Sequence, residues 1–314
     1  MKPSTWIWMD GEWRLWNDAT VHVSVHGLHY GSSVFEGVRA YETDAGPAYF
    51  RLQDHLRRLL DSARILRMDL GYSLEELEAA SLELADRNGH RSCYLRPIAF
   101  RGGGGLGVDG RKLPMHVVLL SFEWGAYLGE EALERGIDVA VSSWRRPASG
   151  TLAPMAKIGG QYVNSQLVVA QAQIDGYGEG IVLDESGLVS EGSGENLFAV
   201  KNGVLLTPPV ASSILSGITR DSVLTLARDA GLEVREASMP RDVLYLADEL
   251  FFTGTAAEIT PIRSVDRIEV GDGRRGPVTE LLQKRLFDLL AGRGEDRHGW
   301  LTPVRPAAPQ KVCA

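Results

Sequence analysis

Sulfur is scarce in this sequence: there are two cysteines, Cys93 in a predicted strand and Cys313 near the end of the chain. They form neither a Cys-x-x-Cys pair nor a disulfide framework, which excludes a zinc site on sulfur. There is no run of Lys and Arg either. Asp and Glu outnumber Lys and Arg by 41 to 33, a formal net charge of −8, so the chain is a poor candidate for wrapping nucleic acid or lying on anionic lipid. No span of about 20 apolar residues occurs. Asp10 and Glu12 interrupt Trp6, Ile7, Trp8 and Met9, leaving no signal-peptide apolar region. These absences predict a cytoplasmic protein whose partners are small molecules. With 44% hydrophobic and 24% charged residues, no biased tract and no internal repeat, the chain reads as compact and enzyme-sized. Its 314 residues exceed the usual single core, so two domains of about 100–200 residues each are expected.

Along the chain, apolar and polar residues alternate from Trp6 to Val25 around a turn at Asp10-Gly11, predicting a β-meander. His22, His26 and His29 would share a face only on a helix; the alternation and Gly27 argue against that, and no metal is assigned. Gly31 and Gly37 then bracket aromatic residues in a stretch suited to lining a pocket. Apolar positions 56, 59, 60, 63 and 66 predict an amphipathic helix from about Asp54, with Arg57 or Arg58 able to clamp a phosphate or simply to face solvent. A second helix should run from Ser73, with Glu76 completing a capping box, to Asn88-Gly89. Tyr94 and Arg96 lie two apart on a predicted strand and so share a face. The glycines at 102–105 look superficially like a dinucleotide loop, but Pro114 and a strand follow where a helix is required, so a long flexible loop is expected. Glu123-Trp124-Gly125-Ala126-Tyr127 is a plausible interdomain hinge.

The most telling stretch is Met155-Ala156-Lys157-Ile158-Gly159-Gly160-Gln161-Tyr162. A lysine in small apolar surroundings loses hydration, which frees its lone pair for carbonyl addition, and the glycines let the backbone approach a flat ligand. Further on, Ser190-Glu191-Gly192-Ser193-Gly194-Glu195-Asn196 sets carboxylates among glycines, which by itself is equally a polar hairpin. Leu215-Ser216-Gly217-Ile218-Thr219 opens a helix, and Thr253-Gly254-Thr255-Ala256-Ala257 is a second hydroxyl-and-glycine turn; two such turns plus an arginine suffice for one phosphate monoester. Together, a desolvated lysine, a tyrosine, a glycine-framed glutamate, a phosphate cup and an aromatic pocket with an arginine suit pyridoxal 5′-phosphate.

At this point the chain resembles a known family. The runs HGLHYGSSVFEGVRAY, YLRP, EWGAYLG, AKIGGQY, SEGSGENLF, SGITRD and GTAAEITP are jointly similar to those of the branched-chain amino acid aminotransferases, fold-type IV pyridoxal-phosphate enzymes, from about Trp6 through Trp300. The resemblance implies a two-domain α/β fold: a small α/β domain at 1–128, an interdomain loop at 129–136, a larger, partly barrel-like α/β domain at 137–302 that binds the cofactor, and a loose tail at 303–314. It implies that Lys157 is the Schiff-base residue and proton carrier, that Tyr162 bonds the ring hydroxyl oxygen, and that Glu191 faces the pyridine nitrogen while Glu195 is structural. Arg58, with Gly217, Ile218, Thr219, Gly254 and Thr255, would hold the phosphate.

For the substrate, the resemblance implies that Phe35, Gly37, Trp124, Tyr162 and Val108 meet an aliphatic side chain. Arg96, Tyr30 and Tyr127 would meet a distal carboxylate, and Tyr94 with the backbone at Thr255, Ala256 and Ala257 the α-carboxylate. The activity implied is ping-pong transamination of L-leucine, L-isoleucine and L-valine with 2-oxoglutarate in amino-acid biosynthesis. The site would lie between domains in a homodimer or higher homo-oligomer, with Tyr30 and Val108 offered by the neighbouring subunit. A D-amino acid aminotransferase or an aminodeoxychorismate lyase would share the lysine and phosphate cup; the YLRP and EWGAY runs favour the L-branched-chain pocket. A non-catalytic binding protein of the same fold is disfavoured by the intact Lys157, Tyr162 and Glu191 set.

Overall fold

The structure, a computed structural model, describes residues 2–124 and 130–304. The chain forms two compact units, and the division is not a single cut: 1–125, 156–160 and 288–314 make the first, 126–155 and 161–287 the second. The short piece carrying Lys157 thus belongs with the N-terminal part of the chain. Residues 129–136, read from sequence as an interdomain loop, contain the helix Glu130–Arg135. The start of the expected tail is tied down, because the strand Leu301–Pro303 pairs with Gly46–Phe50 and the Val304 N–H donates to the Pro47 carbonyl at 2.8 Å.

The first unit is built on an eight-stranded antiparallel sheet in the order Leu301–Pro303, Gly46–Phe50, Val38–Thr43, Cys93–Arg101, Met115–Glu123, Lys2–Met9, Glu12–Leu15, with Ser33–Phe35 paired on Cys93–Arg101. Its first hairpin turns at Asp10 and Gly11, both at positive φ, as a two-residue β-turn of this hand requires. Two helices pack on the sheet, Leu52–Ile65 and Leu74–Arg87. The second has the expected capping box: the Ser73 side chain accepts from the Glu76 N–H and the Glu76 carboxylate accepts from the Ser73 N–H. Leu52, Leu56, Leu59, Leu77, Leu84, Leu95 and Leu119 are wholly buried, each contributing roughly 1.5–3 kcal/mol.

Two expectations fail here. The alternation does not extend to Val25: the strands end at Leu15, and His26–Tyr30 is a short helix. Local bonds win over pairing, since the Val25 N–H donates to the His22 carbonyl at 3.0 Å and the His22 ring bonds the Ser24 hydroxyl at 2.8 Å. Nor does the glycine-rich loop hang free. Its carbonyls are taken by side chains: Leu106 by the Tyr30 hydroxyl at 2.6 Å, Gly107 by His26 Nε2 at 3.0 Å, Gly110 by Arg101 Nη1 at 2.9 Å.

The second unit is a nine-stranded mixed sheet in the order Val189–Gly192, Glu179–Leu183, Ile137–Arg145, Glu258–Val265, Glu249–Gly254, Asn196–Lys201, Val204–Thr207, Glu233–Glu236, with Ile268–Glu269 paired on Glu258–Val265. Three adjacent pairs are parallel: Ile137–Arg145 lies parallel to both Glu179–Leu183 and Glu258–Val265, and Val204–Thr207 to Glu233–Glu236. Helix Tyr162–Ile174 falls in sequence between Ile137–Arg145 and Glu179–Leu183, and helix Ile218–Asp229 between Val204–Thr207 and Glu233–Glu236. The central strands are buried on both faces, which explains their near-continuous apolar runs. The edge strand Val189–Gly192 also packs beside Asn196–Lys201, with the Gly192 N–H on the Glu195 carbonyl at 2.7 Å, so this part of the sheet curls as a partial barrel would.

Candidate active site

In the first unit Lys157 is held by its own backbone. Its N–H donates to the buried Ser62 hydroxyl at 3.0 Å, its carbonyl accepts from the Phe35 N–H at 3.1 Å, and Ile158 bridges to Val34. Ala156 and Ile158 on either side are buried, while Lys157 itself is half-buried. The amine lies 4.8 Å from the centroid of the Phe35 ring. Just after it, Gly160 packs against Gly31 so closely that a Cβ on Gly31 would lie 2.6 Å from the Gly160 Cα, and Gly31 is in addition at positive φ.

Helix Leu52–Ile65 turns Arg58 inward and Arg57 to solvent. Arg58 Nε and Nη2 bond the two oxygens of the wholly buried Glu36 at 2.6 and 2.9 Å, and His55 Nδ1 bonds the second of them at 2.7 Å. Arg57 is exposed and bonds Asp54 and Gln53 on its own helix. Burial works to raise the Glu36 pKa, but Arg58 and His55 outweigh it and hold the carboxyl far below the usual carboxylate range. His55 moves down, burial outweighing its bond to Glu36, with the charges of Arg58 and Lys157 acting the same way.

Phe35, Arg96, Tyr94, Gly37 and Trp124 cluster in the same unit. The Arg96 guanidinium carbon is 4.9 Å from the Phe35 ring centroid and 5.3 Å from that of Tyr94, and Arg96 Nε is buried without a hydrogen-bond partner among the described residues. Tyr94 packs edge-on to Trp124 at 4.9 Å, and its hydroxyl fills the space of any side chain at position 37, lying 1.8 Å from where a Cβ on Gly37 would be. Tyr30 and Val108 are exposed, at 46% and 82%. Tyr127 lies outside the described residues.

In the second unit Tyr162 is the first residue of the helix Tyr162–Ile174 and is half-buried. Glu191 follows a one-residue register shift against the neighbouring strand, the kind of bulge that re-aims a side chain. Its Oε1 pairs with Arg146 Nη2 at 2.7 Å, and its Oε2 accepts from the Asn196 side-chain amide and the Leu215 N–H, each at 3.0 Å. Glu195 is equally buried but folds back on its own turn, accepting from the Gly194 N–H at 3.0 Å.

Asn196 also determines what can stand at Gly217, where a Cβ would meet its Oδ1 at 1.8 Å. Gly217, which has no side chain to offer as a cap, begins the helix Ile218–Asp229; Ile218 and Thr219 in its first turn are buried. Gly254 ends one strand, Thr255, Ala256 and Ala257 form the turn, and Glu258 at positive φ begins the next. Beside this turn the Thr253 hydroxyl is buried with no hydrogen-bond partner among the described residues.

Glu36, His55, Ser62, Arg146, Asn196 and Thr253 escaped the sequence reading. For two of them a signal existed: His55 and Ser62 recur with Arg58 at helical spacing, so two further polar side chains stand on the buried face of an otherwise apolar helix stripe. Arg146, Asn196 and Thr253 have no such marker, because their partners come from other strands.

Taken unit by unit, each set of groups suits part of a flat, anionic heterocycle bearing a carbonyl. The first unit offers an amine on a fixed backbone. The second offers a buried carboxylate, a helix start whose N-cap is a glycine, and a hydroxyl with no hydrogen-bond partner among the described residues. The chain belongs to the class IV aminotransferases, whose family model, amino-transferase class IV, matches residues 33–265. It is 52% identical to the branched-chain-amino-acid aminotransferase of Salmonella typhimurium over 96% of this chain and 98% of that protein. The solved branched-chain amino acid aminotransferase of Escherichia coli superposes with a TM-score of 0.95 at 52% identity, covering 96% of this chain and 100% of that one. The T.th. branched-chain amino acid aminotransferase with pyridoxamine 5′-phosphate gives 0.94 at 47%, covering 97% and 100%, and the same protein is also solved with N-(5′-phosphopyridoxyl)-L-glutamate and with 4-methylvaleric acid. Within its class the chain belongs to the branched-chain-amino-acid aminotransferase family, transferases of the class IV fold that use pyridoxal 5′-phosphate.

Proposed function

We propose that the protein exchanges the amino groups of L-leucine, L-isoleucine and L-valine with 2-oxoglutarate, by a ping-pong mechanism in which L-glutamate and the branched 2-oxo acids are the counterparts. The observation that carries this reading is the shared position of Lys157 Nζ and the Arg96 guanidinium against one ring, Phe35, at 4.8 and 4.9 Å. It sets the reacting amine and a carboxylate reader around an apolar wall. The 4-methylvaleric acid and phosphopyridoxyl-glutamate complexes of the T.th. relative are in keeping with both kinds of side chain.

Bound pyridoxal 5′-phosphate supplies a carbonyl for the amine and an electron sink for the substrate Cα. Lys157 would hold it, and the lysine amine would take the proton from the substrate Cα as a general base. Its backbone bonds to Ser62 and Phe35 keep that base in place. Tyr162 would hold the ring hydroxyl oxygen, and Glu191 the ring nitrogen. Arg58, Gly217, Ile218, Thr219, Gly254 and Thr255 hold the phosphate. Tyr94 and the backbone of Thr255, Ala256 and Ala257 orient the α-carboxylate. Phe35, Gly37, Val108, Trp124 and Tyr162 exclude water around the aliphatic chain, while Arg96, Tyr30 and Tyr127 read a distal carboxylate.

The working form in this proposal is a homodimer at least. Val23, Leu28, Tyr30, Leu106 and Val108 are all exposed within the first unit, which supports a partner subunit over this face. Among the described residues no helix is long and apolar enough to cross a membrane, and we place the enzyme in the cytoplasm. Single-turnover reaction of the cofactor-loaded protein with L-leucine, L-glutamate and D-alanine tests the assignment. Fast reaction with both L-amino acids and none with D-alanine is expected; preference for D-alanine would move the protein to the D-amino acid branch of the fold.

A further inference from the structure

The Arg146 guanidinium is almost wholly enclosed and has no role in the chemistry above. Its side chain is 9% exposed and that of its partner Glu191 6%. Its backbone N–H is fixed on the Leu183 carbonyl at 2.9 Å, its Nε lies 3.4 Å from the Ser213 carbonyl, and Nη2 reaches Glu191 Oε1 at 2.7 Å. The other oxygen of Glu191 accepts from two uncharged donors, the Asn196 amide and the Leu215 N–H. Arg146 therefore brings a full positive charge to a carboxylate that also accepts from these two neutral donors. Removed from water, a carboxylate is stable as the anion only when paired, and a full charge in direct contact stabilises it more than either neutral donor does.

We infer that Arg146 is a positioning residue that keeps Glu191 anionic, so that the proton shared between Glu191 and the cofactor ring nitrogen stays on the nitrogen. The inference rests on the reading that Glu191 faces that nitrogen. The physical reason is distance. Arg146 touches the carboxylate directly, whereas a ring nitrogen bonded to Glu191 would be further away, so the arginine charge stabilises the anion more than it disfavours a protonated ring. Without it the buried carboxyl group would compete for the proton, and the ring would lose the positive charge that draws electrons from the substrate Cα.

The test loads the protein with ring-15N-labelled pyridoxal 5′-phosphate and records the ring-nitrogen resonance in the parent, Arg146→Gln, Arg146→Lys and Glu191→Gln. Gln keeps a donor without the charge; Lys keeps the charge. The parent and Arg146→Lys should give the protonated position, and Arg146→Gln should move most of the way to the unprotonated one. The L-leucine half-reaction of Arg146→Gln should slow roughly tenfold or more. If Arg146→Gln is too unstable to load, Arg146→His serves instead, and its resonance should move toward the unprotonated position as rising pH discharges the imidazole; a resonance insensitive to pH would overturn the inference. A protonated ring in Arg146→Gln with an unprotonated one in Glu191→Gln would refute the role of Arg146 and leave that of Glu191 standing. Equal loss of signal in Arg146→Gln and Arg146→Lys would reduce Arg146 to a packing role. No change in Glu191→Gln would overturn the underlying placement of Glu191.

Discussion

Glu36 grips Arg58 with both carboxylate oxygens, at 2.6 Å to Nε and 2.9 Å to Nη2, and the pair lies beside the backbone that carries Lys157. The guanidinium is planar, so two parallel bonds fix its direction as well as its position. Glu36→Gln would leave Arg58 facing a neutral amide in a buried setting. Removing one member of such a pair costs about 3–5 kcal/mol, and urea unfolding of the variant should show a loss of that order. A loss within about 0.5 kcal/mol, typical of a surface change, would mean the pair carries no structural weight.

The same cluster sets a pH dependence. Burial pushes the His55 pKa below its ordinary 6.5, and Arg58 with His55 holds Glu36 below its ordinary 4.5 despite burial. In both cases the unfolded chain binds the proton more readily, so stability falls as pH falls: first below 6.5 through His55, then below 4.5 through Glu36. Burial raises the Glu179 carboxyl instead, so its contribution is present at low pH and is lost as pH rises above 4.5. His55→Gln should therefore flatten the fall in Tm between pH 6.5 and 4.5. An equally steep fall in that variant would place the titration elsewhere.

Gly37→Ala tests how tightly Tyr94 is held. The new Cβ would stand 1.8 Å from the tyrosine oxygen and 2.5 Å from Cζ, and the ring is backed by Phe122 and Trp124 at 5.6 and 4.9 Å. Overpacking of this kind costs about 1–3 kcal/mol. If Tyr94 binds the α-carboxylate, KM for leucine and glutamate should rise together. Unchanged KM values for both would remove Tyr94 from the substrate site.

How much of this was legible in the chain depends on the range of the interactions. The 3.6-residue spacing of Leu52–Ile65 and the Ser73/Glu76 box are local, and both helices stand close to where the sequence places them. The helix His26–Tyr30 is five residues long, too short to show a period, and its flanks are set by turn bonds at His22 and Ser24. The glycine loop looks free in sequence because the groups that pin it, His26, Tyr30 and Arg101, come from distant positions. Lys157 stands out in sequence by its neighbours, whereas Ser62 and Glu36 in the first unit and Arg146 in the second find their partners, the Lys157 N–H, Arg58 and Glu191, only through tertiary contacts.

Arg96 departs from the simplest expectation for a buried cation, that local acceptors hold it until a carboxylate arrives. The side chain is half-buried and its guanidinium rests on Phe35 and Tyr94, with Nε unpartnered among the described residues. Ring faces stabilise a desolvated cation by about 2 kcal/mol, less than a carboxylate would, which leaves it ready for a charged ligand. Arg96→Met keeps apolar contact and removes the fork. In the half-reaction, glutamate should lose roughly a hundredfold or more in kcat/KM while leucine is much less affected, as expected for truncating a charge-assisted pair worth about 2–5 kcal/mol. Parallel losses would pass the recognition of the distal carboxylate to Tyr30 and Tyr127.

The role of Lys157 is tested most directly by the visible absorption spectrum of the purified, cofactor-loaded protein and of Lys157→Ala, each recorded before and after L-leucine is added without an oxo-acid acceptor. The parent should show the yellow band of cofactor joined to the lysine, bleached by L-leucine as the amino group is transferred. Lys157→Ala should retain cofactor through the phosphate contacts but lack that band and show no L-leucine-dependent transfer. A parent spectrum that L-leucine leaves unchanged, or a Lys157→Ala protein whose spectrum and response match the parent, would contradict the assignment.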